Sequence, residues 1–239
     1  MFARTRSPAG MNTRVSIHWK TCATAVIAIA ALAAIVAGCS RGPQYGEKRE
    51  AWRSIAERNC LKAGRVTPSA YVEERPRIRV GACGADHPFK VSAAQNGAVG
   101  LSPSATLACP MIPAVDRWIA GSVQPIATAL FGSPVTEVHV AASYGCRTRN
   151  NRRGARLSEH SFANAIDVSS FQLADGRTIT VKDGWKSEGS DAIFLRTVHG
   201  DACKEFTTVI GPDGDRHHTD HLHLDLARHN KDGSYHHCE

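Results

Sequence analysis

Seven of the twelve histidines fall between His217 and His237, a density that prompts a search for a metal site. Two separated segments contain what such a site needs: Ser158-Glu159-His160-Ser161-Phe162-Ala163-Asn164-Ala165-Ile166-Asp167, and Asp220-His221-Leu222-His223. A catalytic zinc takes three nitrogen or oxygen ligands and keeps a further position open, and His160, Asp167 and His223 meet that requirement as two imidazoles and a carboxylate. A purely structural zinc would be closed by four protein ligands, and no cysteine here stands in the CxxC spacing of a thiolate site. Asp225, two residues beyond His223, is expected to orient a histidine ligand from behind. His217, His218, His236 and His237 are expected to be solvent-exposed loop or tail residues.

Ligands so far apart in sequence need a scaffold that brings them together. AIDVSSF (165–171) and HLHLDLA (221–227) alternate as strands do, and His160 falls in a turn just ahead of the first of them. If the two strands are antiparallel neighbours, the three side chains meet. VTEVHVAAS (135–143) reads as another strand, and ADGR (174–177) as a tight turn leading to a partner strand at 178–182. Residues 47–62 carry apolar positions at helical spacing, and 191–206 is a further predicted helix. The apolar stretch 111–131 reads as a long helix opened by Pro110, capped by Gly132 and kinked or split at Pro125. Between 65 and 108, short β-type runs (IRVGA, FKVSA, AVGLS) suggest a small β-rich region. The expected class is α+β with an antiparallel sheet and flanking helices, divided into 1–38, 39–108 and 109–239.

The net charge of +7 is concentrated at the N-terminus, where Arg4, Arg6, Arg14 and Lys20 precede any Asp or Glu. The remainder is nearly balanced, which gives no footprint for nucleic acid. The early charges stand before the apolar run 24–37 and the tetrad Val36-Ala37-Gly38-Cys39. That run is short of the roughly 20 residues a membrane span needs. The arrangement resembles a lipoprotein signal peptide, with Met1 or Met11 as the start, cleavage before Cys39 and acylation of its thiol. The expected location is the periplasmic side of the envelope, tethered to a membrane through the lipid; Ser40 after the cysteine favours the outer membrane. Cys60, Cys83, Cys109, Cys146, Cys203 and Cys238 then remain as an even set for three disulfides. The expected pairing is sequential: Cys60 with Cys83, Cys109 with Cys146, Cys203 with Cys238.

The pattern SxHxxxxAxD followed by DxxH or HxH resembles the LAS metallopeptidases, which include lysostaphin-type enzymes and zinc D-Ala-D-Ala peptidases. Residues from about 60 to 238 resemble the bacterial extensin-like C-terminal family more closely, through the segments CP, SYGCR, SEH, AIDV, FTTV-GP and DHLHLDL. The metallopeptidase pattern has glycine where Ala163 stands. The resemblance implies a Zn2+ cofactor, peptidoglycan stem or cross-link peptides as substrate, and hydrolysis by endopeptidase or carboxypeptidase action. It implies two candidates for the base: Asp220, slightly favoured because it stands three before His223, and His221, two before. It further implies that Arg147 steadies an oxyanion or binds a substrate carboxylate, and that Ser158 shapes the ligand loop or touches substrate. The alternative is a zinc-containing wall-binding or envelope-assembly module without turnover. No oligomeric state is specified.

Overall fold

The amphipathic segment at the start of the described chain forms α1 (Ala51–Lys62). The computed structural model describes residues 48–239, so the expected signal segment and Cys39 lie outside the described residues. After α1 come β1 (Val72–Glu74), β2 (Pro88–Ala94) and β3 (Val99–Ala108). The long apolar stretch follows as α2 (Met111–Trp118), a π turn (Ile119–Val123) and α3 (Gln124–Phe131). β4 (Val135–Ala142), β5 (Ala165–Leu173) and β6 (Thr178–Thr180) lead to the single turn α4 (Val181–Gly184) and to α5 (Ser190–Ala202). β7 (Thr208–Ile210), β8 (Leu222–Asp225) and β9 (His237–Cys238) complete the chain. Among the described residues, no helix is long and apolar enough to cross a membrane.

The break in the long helix has the cause expected of it. Pro125 stands at the start of α3, and the preceding turn widens to a π turn to accommodate a residue without an N–H. Gly132 closes α3 in the left-handed conformation at φ 65°, with its N–H on the Thr128 carbonyl at 2.9 Å. The helix expected at 191–206 ends at Ala202; Phe206 turns inward and packs edge-on against Trp118 with ring centroids 6.3 Å apart.

The strands form one mixed sheet in the order β1-β2-β3-β4-β5-β8-β7-β9. β5 has two partners along one edge: β8 pairs its first residues, from Ala165↔Asp225 to Val168↔Leu222, and β6 pairs Ser170 to Gln172. The expectation of an antiparallel sheet is corrected at two places, since β3–β4 and β7–β9 are parallel. A parallel pair needs a crossover of a dozen or more residues, and the α2–α3 segment supplies it between β3 and β4. β1–β3, expected as a separate small β-rich region, are the outer strands of this same sheet, and the described residues belong to one compact unit.

Trp118, Phe171, Phe194 and Phe206 are fully buried and stack edge to face, joining α2, α5 and the sheet. Ile166 and Val168 of β5 and Leu222 and Leu224 of β8 belong to this core. Each such side chain contributes about 1.5–3 kcal/mol of burial. Strand alternation then sends Asp167, His223 and Asp225 to the opposite face.

The disulfides are Cys60–Cys109, Cys83–Cys146 and Cys203–Cys238. The third matches the sequential expectation, while the first two exchange partners. The β2–β3 hairpin carries the chain out and back, with Pro88 opposite Ala108, so Cys109 arrives beside the last turn of α1. Cys83 instead lies against the 143–162 segment, where the Gly84 N–H donates to the Ser161 carbonyl at 2.8 Å.

Candidate metal centre

The register of β5 with β8 sets Asp167 directly opposite His223. Both are buried on the face away from the aromatic core. His160 reaches them from the 3-10 turn Glu159–Phe162, whose end at Ala163 is left-handed, φ 53° and ψ 28°. The Ala163 N–H closes that turn on the His160 carbonyl at 3.2 Å, and the chain enters β5 two residues later. A left-handed residue is the reason glycine suits this position; alanine here costs about 1–2 kcal/mol.

The three side chains converge. His160 Nε2 is 3.1 Å from both Asp167 oxygens and 3.2 Å from His223 Nδ1, and His223 Nδ1 is 2.8 Å from Asp167 Oδ1. Ligands about 2.0–2.1 Å from a tetrahedral ion stand about 3.3 Å apart, so little adjustment is required. All three potential ligand atoms lie within 4.8 Å of one another, and the residues are 1%, 4% and 8% exposed in chain order. The outer nitrogens are also fixed: His160 Nδ1 donates to the Ser143 carbonyl at 2.5 Å, and His223 Nε2 donates to Asp225 Oδ2 at 3.0 Å. With those contacts turned outward, the inner nitrogens converge on the Asp167 carboxylate, where a metal ion would take the place of the proton that His223 Nδ1 shares with Asp167. The triad can therefore hold a metal ion.

Electrostatics agree with the geometry. Burial alone would depress the His223 pKa, yet hydrogen bonds and charge from Asp167 and Asp225 raise it to about 10. Burial alone would raise Asp167, but its contacts with His160 and His223 hold it well below the usual carboxylate range. Asp225, opposed by burial in the same way, is held low by His223, by Thr208 and by the Ala227 N–H at 2.9 Å. The expected supporting role of Asp225 corresponds to this contact with His223.

The ligand turn is braced from α1. Glu159, adjacent to His160, accepts two hydrogen bonds from Arg53 at 2.6 and 2.8 Å and a third from Asn164 Nδ2 at 2.7 Å. The Arg53 guanidinium also lies 3.8 Å over the Phe162 ring. On the other side, Ser161 Oγ donates to the Arg147 carbonyl at 2.7 Å, and the Arg147 N–H donates back at 3.0 Å. Cys83–Cys146 ties down the residue before Arg147. Gly84, whose N–H bonds Ser161, is needed for the fold of its own segment, because at φ +127° an added Cβ would stand 1.9 Å from the Ile78 carbonyl oxygen.

The triad faces a cleft of about 480 Å³ whose lining includes Arg147, Ser158 and His221 but not Asp220. Arg147 Nη2 is 3.8 Å from Asp167 Oδ2, and Ser158 is buried at the cleft wall with its N–H on the Arg147 carbonyl at 3.0 Å. His221 Nε2 is 3.8 Å from Asp167 Oδ2 and its Nδ1 is 2.9 Å from Asp220 Oδ1. The Asp220 side chain is 63% exposed, against 16% for His221, and it meets His221 from the solvent side. His218 departs from the expected exposed position: it is buried, its Nδ1 bonds Asp215 at 2.7 Å, and its ring packs 5.1 Å from His221 and 5.5 Å from His223. Burial, the largest cause, together with the neighbouring histidines lowers its pKa despite Asp215. His217 and His236 are exposed as expected, while His237 is half-buried in β9 and lines the cleft. The adjacent pair His217-His218 has no period that distinguishes its members; the Asp215 turn does so.

A family model described as Extensin-like protein C-terminus matches residues 58–239. No curated protein and no solved structure matches the chain.

Proposed function

The chain belongs to the extensin-like C-terminal family, and from that premise we propose that it is a zinc-dependent peptidase acting on peptide bonds in peptidoglycan. The observation that carries the reading is the convergence of His160, Asp167 and His223, with their outer nitrogens fixed, on the floor of an open cleft. The metal, when bound, supplies polarisation of the scissile carbonyl and acidification of a water. His221 receives the proton at Nε2, the nitrogen that faces Asp167, while Asp220 holds the opposite nitrogen. This assignment exchanges the order in which the sequence ranked the two. Arg147, at the edge of the triad, offers a forked donor to the carbonyl oxygen as it gains charge, or to a substrate carboxylate. Ser158 acts through its main chain by holding the Arg147 segment against the ligand turn.

Three disulfides point to an extracytoplasmic protein. We place it at the periplasmic side of the envelope, held to the outer membrane by acylated Cys39.

The test combines metal analysis of the purified protein with mass spectrometry of digested muropeptides. His160→Ala, Asp167→Ala and His223→Ala should lose zinc and turnover together. His221→Ala should keep zinc and lose about 100-fold to 10,000-fold in turnover. A larger loss in Asp220→Asn than in His221→Ala would return the base to Asp220. A wild-type protein that holds one zinc and cleaves no muropeptide is the non-catalytic wall-binding module instead.

A further inference from the structure

The cleft is electrically lopsided. Arg147 and Arg149 line it together with Asn150 and Asn151 from one segment of the chain, and Asp215, His217, His218 and His221 from another. The arginine wall continues outward as a hairpin closed by Thr148↔Leu157 and by the Arg149 N–H on the Arg156 carbonyl at 2.8 Å. Arg149, Arg152 and Arg153 are exposed there, and none of the three pairs with a carboxylate among the described residues. Several other arginines are matched, Arg49 with Glu57 and Asp86, Arg53 with Glu159, Arg117 with Glu205 and Arg177 with Asp175.

The hairpin is also built into the metal centre. Its base is pinned by Cys83–Cys146, by the paired Arg147–Ser161 hydrogen bonds and by the Ser158 N–H on the Arg147 carbonyl. Thr148 Oγ1 donates to the Arg152 carbonyl at 2.8 Å, which folds the tip back on its base. Asn150 and Asn151 both hold φ 53°, a conformation asparagine tolerates better than most residues. Arg147, paired with Asp167 at 3.8 Å, thus stands at the base of a hairpin whose exposed Arg149, Arg152 and Arg153 meet no carboxylate among the described residues.

We infer that this hairpin is the wall that selects an acidic peptide, one bearing free carboxylates within about three residues of the scissile bond on one side only. An extended chain advances about 3.3 Å per residue, so a ligand that lies over the triad and meets Arg147 and Arg149 continues toward Arg152 and Arg153. Charge complementarity favours the hairpin side, because Asp215, from a different segment of the cleft lining, repels the same carboxylates. The inference rests on the peptidase reading for the position of the scissile bond. Its test is a binding measurement that needs no turnover.

The experiment uses the zinc-loaded full chain and fluorescence anisotropy of two labelled peptides, Ala-Glu-Ala-Glu-Ala and its Ala-Gln-Ala-Gln-Ala counterpart. At low salt the Glu peptide should bind about tenfold more tightly, the combined effect of its two additional carboxylates against the exposed arginines. The preference should fall as salt rises. The triple variant Arg149→Gln, Arg152→Gln, Arg153→Gln should bind both peptides within about twofold, with zinc content and disulfides intact, while the triple Arg→Lys variant retains most of the preference. Equal binding of both peptides by the wild-type chain, or an undiminished preference in the Gln variant, overturns the inference. So does displacement of the Glu peptide by oligothymidylate or phosphatidylglycerol vesicles at equal charge, since the hairpin would then be a general polyanion surface. Muropeptide cleavage with a charge-blind cleft leaves the peptidase reading in place and removes only this one; carboxylate-selective binding without cleavage does the reverse.

Discussion

Replacing Arg53 should loosen the metal centre from a helix that contributes no ligand to it. Glu159 is 5% exposed and its carboxylate is met by Arg53 at 2.6 and 2.8 Å and by Asn164 at 2.7 Å. Arg53→Met keeps an apolar stem against Phe162 and removes the guanidinium, leaving a buried carboxylate with one neutral donor. Breaking a buried pair from one side costs about 3–5 kcal/mol, a large part of the roughly 5–15 kcal/mol that holds a domain together. Because Glu159 is the neighbour of His160, the same change should weaken zinc binding. Adding Glu159→Gln removes the orphaned charge and keeps an acceptor for Asn164, so the double variant should recover to a loss of about 1–2 kcal/mol. Urea unfolding of the chelator-treated protein, with disulfides intact, reads the stability, and competition with a chromogenic chelator reads the zinc affinity. A loss under about 1 kcal/mol in Arg53→Met, or a double variant no more stable than the single, would falsify the bracing role.

Asp225→Asn should lower zinc affinity about 10-fold to 100-fold while the protein stays folded, because His223 loses its charged outer partner; chelator competition measures it. Zinc uptake should release one proton at neutral pH, since the metal-free His223 keeps its proton up to about pH 10 whereas Asp167 is already ionised. Apparent affinity should thus rise about tenfold per pH unit between 7 and 9 and level off above 10; calorimetry in buffers of different ionisation enthalpy counts the proton, and zero release would contradict the ion-paired site. Cys83→Ala with Cys146→Ala opens a link of sequence separation 63, for which chain entropy predicts a loss of about 4 kcal/mol in urea unfolding.

The candidate metal ligands were legible because much of their information is local. His223 and Asp225 alternate on one strand and so share a face, while His160 and Asp167, on a turn and the strand it enters, were singled out by zinc-ligand chemistry and by the interval that the resemblance implies. The helices and most strands followed from periodicity in the same way, and Pro125 and Gly132 marked the break and the end of the long helix. What depends on two distant segments choosing each other was not written in any one of them. The Asp167↔His223 register, the parallel return of β4 beside β3 and the exchange of disulfide partners all arise from closing the sheet. A cysteine carries no mark of its mate, and the β2–β3 hairpin, not sequence order, put Cys109 beside Cys60. The substitution at Ala163 was visible as a departure from glycine, but only the folded turn revealed the left-handed φ that gives the departure meaning. His218 and its exposed neighbour His217 are the same residue type and both line the cleft, and burial separated them because the Asp215 turn packs His218 inward and leaves His217 at the surface.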